Sequence, residues 1–316
     1  MYNIDITSDI HSTFIKNNFK EIFWNNWVLK QSEKWKYLII AWDINEDISE
    51  IEKNLNNIIN NTSYKKIIIT FWNHDIWYNP RVNNVDKNLS YSNSIEKYNF
   101  LIEYFHGYNN KVFVIDKEDF IIEDKKIVIT WNMWWYNYTI KPEDKQNLEK
   151  LLKVNFDDMR LFSFRSNDKP NILFSDDIKS NEEFSKLLED KLIERLDSIK
   201  ENPNLKDYKI ICISHVKPSF DLDTNSKYYI NLNSLEWKEI FDSNNVTSFY
   251  DTLTKLYSNA FYTNSNLHKI YKDYNVSIWI YWHTHHNFKK NLDWIKYITN
   301  SLGYYLIEHN NQIVTI

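Results

Sequence analysis

The stretch Ile67-Ile68-Ile69-Thr70-Phe71-Trp72-Asn73-His74-Asp75 (residues 67–75) decides the class of fold. Its first half is a run of β-branched and aromatic residues, which predicts a strand buried on both faces. Its last three residues carry amide, imidazole and carboxylate groups, which bind metals or move protons. Ligands in open α/β sheets bind beyond the carboxyl ends of the strands, so this order places chemistry at a sheet edge.

Similar apolar runs recur along the chain and alternate with helical patterns near 13–32, 46–61 and 92–105, which is typical of an α/β fold. The other runs that predict strands are Ile4–Thr7, Tyr37–Ala41, Val112–Ile115, Ile127–Thr130, Ile210–Ser214 and Val276–Tyr281. Towards the C-terminus, Ile295–Thr299, Tyr304–Glu308 and Gln312–Ile316 predict antiparallel strands.

A segment at about 136–207 interrupts the alternation. Pro142 suits the first turn of a helix, and Ser180 with Glu183 fits a capping box. Apolar residues then repeat at helical spacing, at Phe184, Leu188, Leu192, Leu196 and Ile199. We therefore expect residues 1–316 to form a single domain with a mainly helical insertion at about 136–207. The polar segment 217–250 is interpreted as a long loop.

Composition and charge narrow the class of protein. The formal net charge of −5 argues against a long nucleic acid as partner, although it is compatible with a local positive pocket. No apolar stretch is long enough to span a bilayer and no signal-peptide pattern is present, so we expect a cytoplasmic protein without a membrane partner. The single cysteine, Cys212, lies in an apolar run and is expected to be a small buried hydrophobe.

Five strand-like runs are each followed by residues that bind metal ions. These residues are Asp9 and His11, Asp43, Asn73-His74-Asp75, His215, and His283 with His285. Each piece alone also has an ordinary interpretation, such as a surface turn, a helix cap or a hydrogen-bonded structural histidine. Their recurrence at five strand ends favours a shared site along one edge. His106, His268, His286 and His309 lie outside this pattern, and we expect structural or surface roles for them.

Taken together, these segments resemble the motif set of calcineurin-like metallophosphoesterases, in the order that the family has them. The segments are Ser8-Asp9-Ile10-His11, Asp43, Asn73-His74-Asp75, His215 and His283-Thr284-His285. The resemblance runs from residue 5 to about residue 303, with a poorly matched middle. It implies an α/β fold of two facing mixed β-sheets flanked by helices, a four-layer sandwich. It also implies a hydrolase that acts on phosphate ester bonds, as a phosphomonoesterase or a phosphodiesterase.

The resemblance further implies a site for two divalent metal ions. Asp9, His11 and His285 would hold one ion, Asn73, His215 and His283 the other, and Asp43 would bridge them. The mixed imidazole and carboxylate ligands suit Mn, Fe or Zn. A hydroxide activated by both metals would attack the phosphate ester. His74, oriented by Asp75, would protonate the leaving oxygen or stabilise the charged phosphoryl oxygens. Two dications against two carboxylates leave the site net positive by two (4 − 2), which favours an anionic substrate.

The chain has 13 Trp and only 2 Gly, where about 22 Gly are expected at roughly 7% usage. Trp42, Trp72 and Trp282 stand where the family pattern has glycine, and so do Trp131, Trp134 and Trp294, whereas Trp135 and Trp279 look like genuine tryptophans. We hypothesise that a codon translated as glycine in the native host is written as tryptophan at these six positions. Literal tryptophans in tight glycine turns would be strained. They would favour an alternative function, that of an inactive or metal-poor scaffold for interactions.

Overall fold

The computed structural model describes residues 4–8, 37–41, 45–78, 91–131, 171–178, 180–215, 266–281, 288–299 and 314–315. The strands in these ranges are β1 (Ile4–Ser8), β2 (Tyr37–Ala41), β3 (Lys66–Thr70), β4 (Val112–Val114), β5 (Phe120–Ile122), β6 (Ile127–Trp131), β7 (Lys209–Ile213), β8 (Val276–Ile280), β9 (Phe288–Leu292), β10 (Ile295–Thr299) and β11 (Val314–Thr315). The helices are α1 (Ile48–Asn61), α2 (Asn73–Ile76), α3 (Ser94–His106), α4 (Asn181–Glu201) and α5 (Asn266–Asp273). Short 3-10 turns span Glu123–Lys125 and Pro203–Leu205.

The first sheet has the strand order β11-β1-β2-β3-β4. β1 to β4 are parallel to their neighbours, and β11 joins β1 in the antiparallel direction. All five residues of β2 are buried, as expected for an apolar strand covered on both faces. The pairing sets Ser8 beside Ala41 and Ala41 beside Thr70, so the first three strands end at one carboxyl edge.

The second sheet has the order β5-β6-β7-β8-β10-β9. Its four inner strands are parallel, and the two outer strands, β5 and β9, are antiparallel to their neighbours. Trp131 pairs with Ile213, and Ile213 pairs with Ile280, so β6, β7 and β8 also end together. Each sheet therefore has one edge at which several parallel strands finish.

Aromatic contacts join the two sheets. The ring of Phe120 in β5 packs against Tyr37 in β2 at 5.6 Å and against Phe113 in β4 at 4.8 Å between centroids. The helices add apolar faces to the same core, α1 through residues such as Ile51, Leu55 and Ile58. The predicted α/β class, with two mixed sheets flanked by helices, is confirmed.

Helix α4 lies in the segment predicted to be a helical insertion. It begins where the capping pattern places it, since Ser180 Oγ accepts a hydrogen bond from the Glu183 N–H at 3.2 Å. The predicted stripe is buried at all five positions: Phe184, Leu188, Leu192, Leu196 and Ile199. Pro142 and the predicted loop 217–250 lie outside the described residues, as do the helix predicted near 13–32 and the strand predicted at Tyr304–Glu308.

Three elements of the structure were not predicted from the sequence pattern. β5 has three residues, β9 contains two consecutive lysines at a sheet edge, and α5 has eight residues. β10 also differs from its predicted direction, because it is antiparallel to β9 but parallel to β8.

Cys212 is buried as predicted, and burial raises the pKa of its thiol. Among the helices that the structure describes, none has the length and apolar character to cross a bilayer.

Candidate active site

The carboxyl edges of the two sheets meet at Trp72 and His215. Trp72 follows the end of β3 in the first sheet, and His215 follows the end of β7 in the second. Their rings are stacked, with centroids 5.0 Å apart and planes inclined by 29°. The Asn73-His74-Asp75 motif therefore begins directly beside the motif histidine of the other sheet.

Asn73 and His215 each place one atom of a metal-ligand type in this region. Asn73 is 3% exposed and His215 is 4% exposed, and both the Oδ1 atom of Asn73 and the Nε2 atom of His215 are shielded from solvent. An amide oxygen and an imidazole nitrogen are ligand types that Mn, Fe and Zn accept. The part of the predicted metal set that the structure describes therefore has suitable chemistry, withdrawn from water.

Asp75 is a fully buried carboxylate that accepts backbone hydrogen bonds. Its Oδ2 accepts from the Trp72 N–H at 3.0 Å, which closes the turn at the start of α2. Its Oδ1 accepts from the Asn45 N–H at 3.3 Å. Asn45 lies two residues after Asp43, so Asp75 links the segment that follows β2 to the turn that follows β3.

His74 differs from its two neighbours in being partly exposed to solvent. Its ring packs on Trp77, with centroids 3.8 Å apart. Asn73 and Asp75 are buried on either side of it. His74 is thus the member of the motif with access to a molecule in solution, as a proton donor to a substrate must be.

Lys97 is a neighbour that the motif argument does not identify. It lies in α3 and is fully buried, with Nζ donating to the backbone carbonyls of Glu46 at 2.7 Å and Trp77 at 2.9 Å. Burial lowers its pKa to about 8, against the opposing effect of the negative charge of Asp75. The sequence could have indicated the burial of Lys97 by its helical spacing, because Lys97 lies on the same buried face of α3 as Ser94 and Leu101.

Asp116 is a second buried group near the same edge. It lies two residues after β4, and its Oδ1 accepts a hydrogen bond from the Tyr98 hydroxyl at 2.9 Å. Burial raises the pKa of this carboxyl to about 7, although the hydrogen bond from Tyr98 and the charge of Arg195 act in the opposite direction. The sequence offers a signal here too, because Asp116 directly follows the run Val112–Ile115.

The tryptophans near the strand ends differ in how they use their indole N–H groups. Trp279, interpreted as a genuine tryptophan, donates from Nε1 to Ser214 Oγ at 2.9 Å. The Nε1 atoms of Trp72 and Trp131 are buried and have no partner within the described ranges. A buried indole N–H normally has a hydrogen-bond partner, as Trp279 has and Trp72 and Trp131 lack among the described residues. The motif comparison divides the three residues in the same way.

The backbone strain expected at Trp72 is not found. Its φ of −134° and ψ of −171° are extended values that any residue adopts. That expectation was wrong at this position, because the chain passes through it without a left-handed turn. The unfavourable feature is instead the buried N–H group, which has lost its hydrogen bonds to water.

The other five predicted ligands, Asp9, His11, Asp43, His283 and His285, lie outside the described residues. The strands that precede them are described and end at the two carboxyl edges. Within the part of the chain that the structure describes, no three His, Cys, Asp or Glu side chains form a group able to hold a metal ion. His268, predicted to be structural, bonds to the Tyr297 hydroxyl at 2.6 Å and to Asp293 at 3.2 Å.

Comparison with known proteins bears on the fold. No protein-family model matches the chain, and no curated protein matches its sequence. Its structure is similar to that of a phosphopantetheinyl hydrolase (PptH) from Mycobacterium tuberculosis, with a TM-score of 0.61 and 13% sequence identity. The match covers 96% of this chain and 89% of that chain. At this identity the likeness shows a shared fold.

Proposed function

We propose that the protein is a metal-dependent phosphoesterase with the four-layer sandwich of the metallophosphoesterase type. The observation that carries the proposal is that the chain after β3 and the chain after β7 lie side by side, as the 5.0 Å separation of the Trp72 and His215 ring centroids shows. This arrangement brings together the ends of one strand from each sheet, each followed by its own motif. The fold that the chain shares with a phosphopantetheinyl hydrolase supports the same reading.

The registered strand ends support a shared site for the remaining ligands. Ser8, Ala41 and Thr70 lie side by side, and Ile213 lies beside Ile280. Each of these strands is followed within three residues by its first predicted ligand: Asp9, Asp43, Asn73, His215 and His283. Three residues of fully extended chain reach roughly 11 Å at most, which keeps these ligands close to the two edges.

The proposed metal ligands divide as the motifs imply. Asp9, His11 and His285 would hold one divalent ion, Asn73, His215 and His283 would hold the other, and Asp43 would contribute to both. When bound, two such ions supply the positive charge and the Lewis acidity that hydrolysis of a phosphate ester at neutral pH requires. Because Asp9 and Asp43 would be the only anionic ligands of two dications, the metal-loaded pocket would stay positive towards an anionic ester.

The chain's own groups account for binding geometry and proton transfer. His74, partly exposed beside the buried Asn73, gives a proton to the ester oxygen that leaves phosphorus. Asp75 fixes the turn that carries both residues by accepting the N–H groups of Trp72 and Asn45. The burial of Asn73 and His215 keeps water away from the atoms that bind metal.

The alternative function, a metal-poor scaffold, depends on Trp72. Its indole is buried against His215 and occupies space next to a proposed metal ligand. Glycine at this position would open that space. The identity of the residues at positions 42, 72 and 282 therefore bears on which of the two functions the chain has.

Metal analysis of two purified forms tests the proposal. One has the printed sequence, and the other has glycine at positions 42, 72, 131, 134, 282 and 294. We expect the glycine form to bind about two Mn²⁺ per chain and to hydrolyse p-nitrophenyl phosphate or its bis ester. A glycine form that binds no metal and turns over neither ester would rule out the enzyme and leave the scaffold. The relative rates on the two esters distinguish a monoesterase from a diesterase.

A further inference from the structure

Lys97 occupies a place where a charge is costly. It is fully buried on the core-facing side of α3, among residues such as Tyr98 and Leu101. Removing an ammonium group from water costs several kcal/mol unless hydrogen bonds and opposite charge compensate. A methionine or leucine would fill the same volume without that cost, so packing alone does not explain a lysine here.

The hydrogen bonds of Lys97 join two segments that each follow a motif residue. Its Nζ donates to the carbonyl of Glu46 at 2.7 Å, three residues after Asp43. The same Nζ donates to the carbonyl of Trp77 at 2.9 Å, three residues after His74. One ammonium group therefore connects the segment after β2 with the turn after β3.

Asp75 joins the same two segments as Lys97, but through a negatively charged side chain. It accepts the backbone N–H of Asn45, whereas Lys97 donates to the carbonyl of the next residue, Glu46. The negative charge of Asp75 also stabilises the charged form of Lys97. The segment after β2 is thus held at successive residues by a buried carboxylate and a buried ammonium group.

We propose that Lys97 is a positioning residue of the candidate active site. By bonding two backbone carbonyls, it fixes the segment that carries Asp43 relative to the turn that carries the second motif. This role rests on the proposed function, because the spacing matters only if Asp43 bridges metals held in part by Asn73. Lys97 does not contact substrate in this scheme and acts through the backbone that it holds.

The test compares Lys97→Met with Lys111→Met in the glycine-bearing protein. Lys111 is a matched control, because its Nζ also donates to a backbone carbonyl, that of Ile59 at 3.3 Å. It directly precedes β4, at the edge opposite the candidate site. The readouts are Mn²⁺ affinity by calorimetry, kcat and KM for bis-p-nitrophenyl phosphate, and hydrogen exchange of a peptide covering residues 45–48.

We expect Lys97→Met to weaken Mn²⁺ binding and to lower kcat, each by about 10- to 100-fold, as loss of groups that orient metal ligands does. KM should change little, and exchange in residues 45–48 should become faster even without metal. Lys111→Met should leave these quantities unchanged. If Lys97→Met does not fold, Lys97→Gln, which keeps an N–H₂ donor, carries the same comparison.

Mn²⁺ affinity, kcat and exchange that are equal in the two methionine variants would overturn the positioning role and leave the proposed function standing. A parent protein that binds no Mn²⁺ and hydrolyses no ester would overturn the proposed function, and the role of Lys97 with it. The two failures are therefore distinguishable in one set of measurements.

Discussion

At the scale of single residues, the candidate site depends on what stands at position 72. The Trp72 indole is buried against His215, and its N–H has no partner among the described residues. Trp294 presents a different case at the two-residue turn between β9 and β10, where it is 57% exposed beside Asp293, whose φ is 53°. Two-residue turns of the Asp-Gly kind have positive φ at both residues, whereas only Asp293 is left-handed here, so the backbone does not require glycine at position 294.

The glycine hypothesis predicts that the gene uses two different codons for these tryptophans. Trp42, Trp72, Trp131, Trp134, Trp282 and Trp294 should share one codon, and Trp135 and Trp279 should have another. Because the other five tryptophans, Trp24, Trp27, Trp35, Trp77 and Trp237, are assigned to neither group, the intact mass of the protein from its native host should be lower by at least six tryptophan-to-glycine differences. One codon at all eight positions, together with the mass of the printed sequence, would contradict the hypothesis.

His74 should be needed for turnover but not for metal binding. Because it acts as a proton donor, His74→Gln is expected to lower kcat by about 10²- to 10⁴-fold. Calorimetry should give the same Mn²⁺ stoichiometry as in the parent protein. His106→Gln, at an exposed position at the end of α3, is the control and should match the parent in both measurements. Loss of metal in His74→Gln would contradict the assigned role.

The raised pKa of Asp116 predicts that the stability of the protein depends on pH. Its pKa is raised from 3.8 to about 7 in the folded protein, so the folded state binds more protons between these values. The free energy of unfolding from this group therefore falls as pH rises from about 4 to 7. Asp116→Asn should remove that loss and be more stable than the parent at pH 8, by on the order of 2–4 kcal/mol.

Urea unfolding at pH 5 and pH 8 measures the effect of Asp116→Asn. The exposed Asp207→Asn is the control and should change stability little at either pH. Equal stability of Asp116→Asn and the parent at pH 8 would show that the buried carboxyl carries no such cost.

At the scale of elements, Arg195 adds polar contacts between α4 and the sheets to those of the buried apolar face of the helix. Arg195 donates from Nη1 to the Ile115 carbonyl at 2.9 Å and from Nη2 to the Asp116 carbonyl at 2.6 Å. Its guanidinium also lies over the ring of Trp131, 5.4 Å from the centroid. These contacts connect a helix of the predicted insertion to the ends of β4 and β6.

Arg195→Met should destabilise the protein by about 1.5–3 kcal/mol, because it leaves two carbonyls without their charged donor. Thermal or urea unfolding measures this change. Lys186→Met on the same helix is the control, since its ion pair with Asp190 is exposed at the surface and contributes little. Equal destabilisation by the two variants would show that Arg195 does not anchor α4.

At the scale of the whole molecule, much of the sheet framework could be predicted from sequence. β2 is an apolar run buried at every residue, so its bounds follow from composition alone. β9 could not be found in that way, because Lys289 and Lys290 mark an exposed edge strand and not a core strand. Helical spacing places Lys97 on the buried face of its helix, but the partners that stabilise its buried charge come from distant elements, which periodicity in one segment does not report.

The measurement that tests the account most directly is the initial rate of bis-p-nitrophenyl phosphate hydrolysis by the glycine-bearing protein, as a function of added Mn²⁺. We predict a saturable, Mn²⁺-dependent rate that His215→Ala abolishes and His106→Ala preserves. A rate no higher than that of buffer with Mn²⁺, or a rate unaffected by His215→Ala, would contradict it.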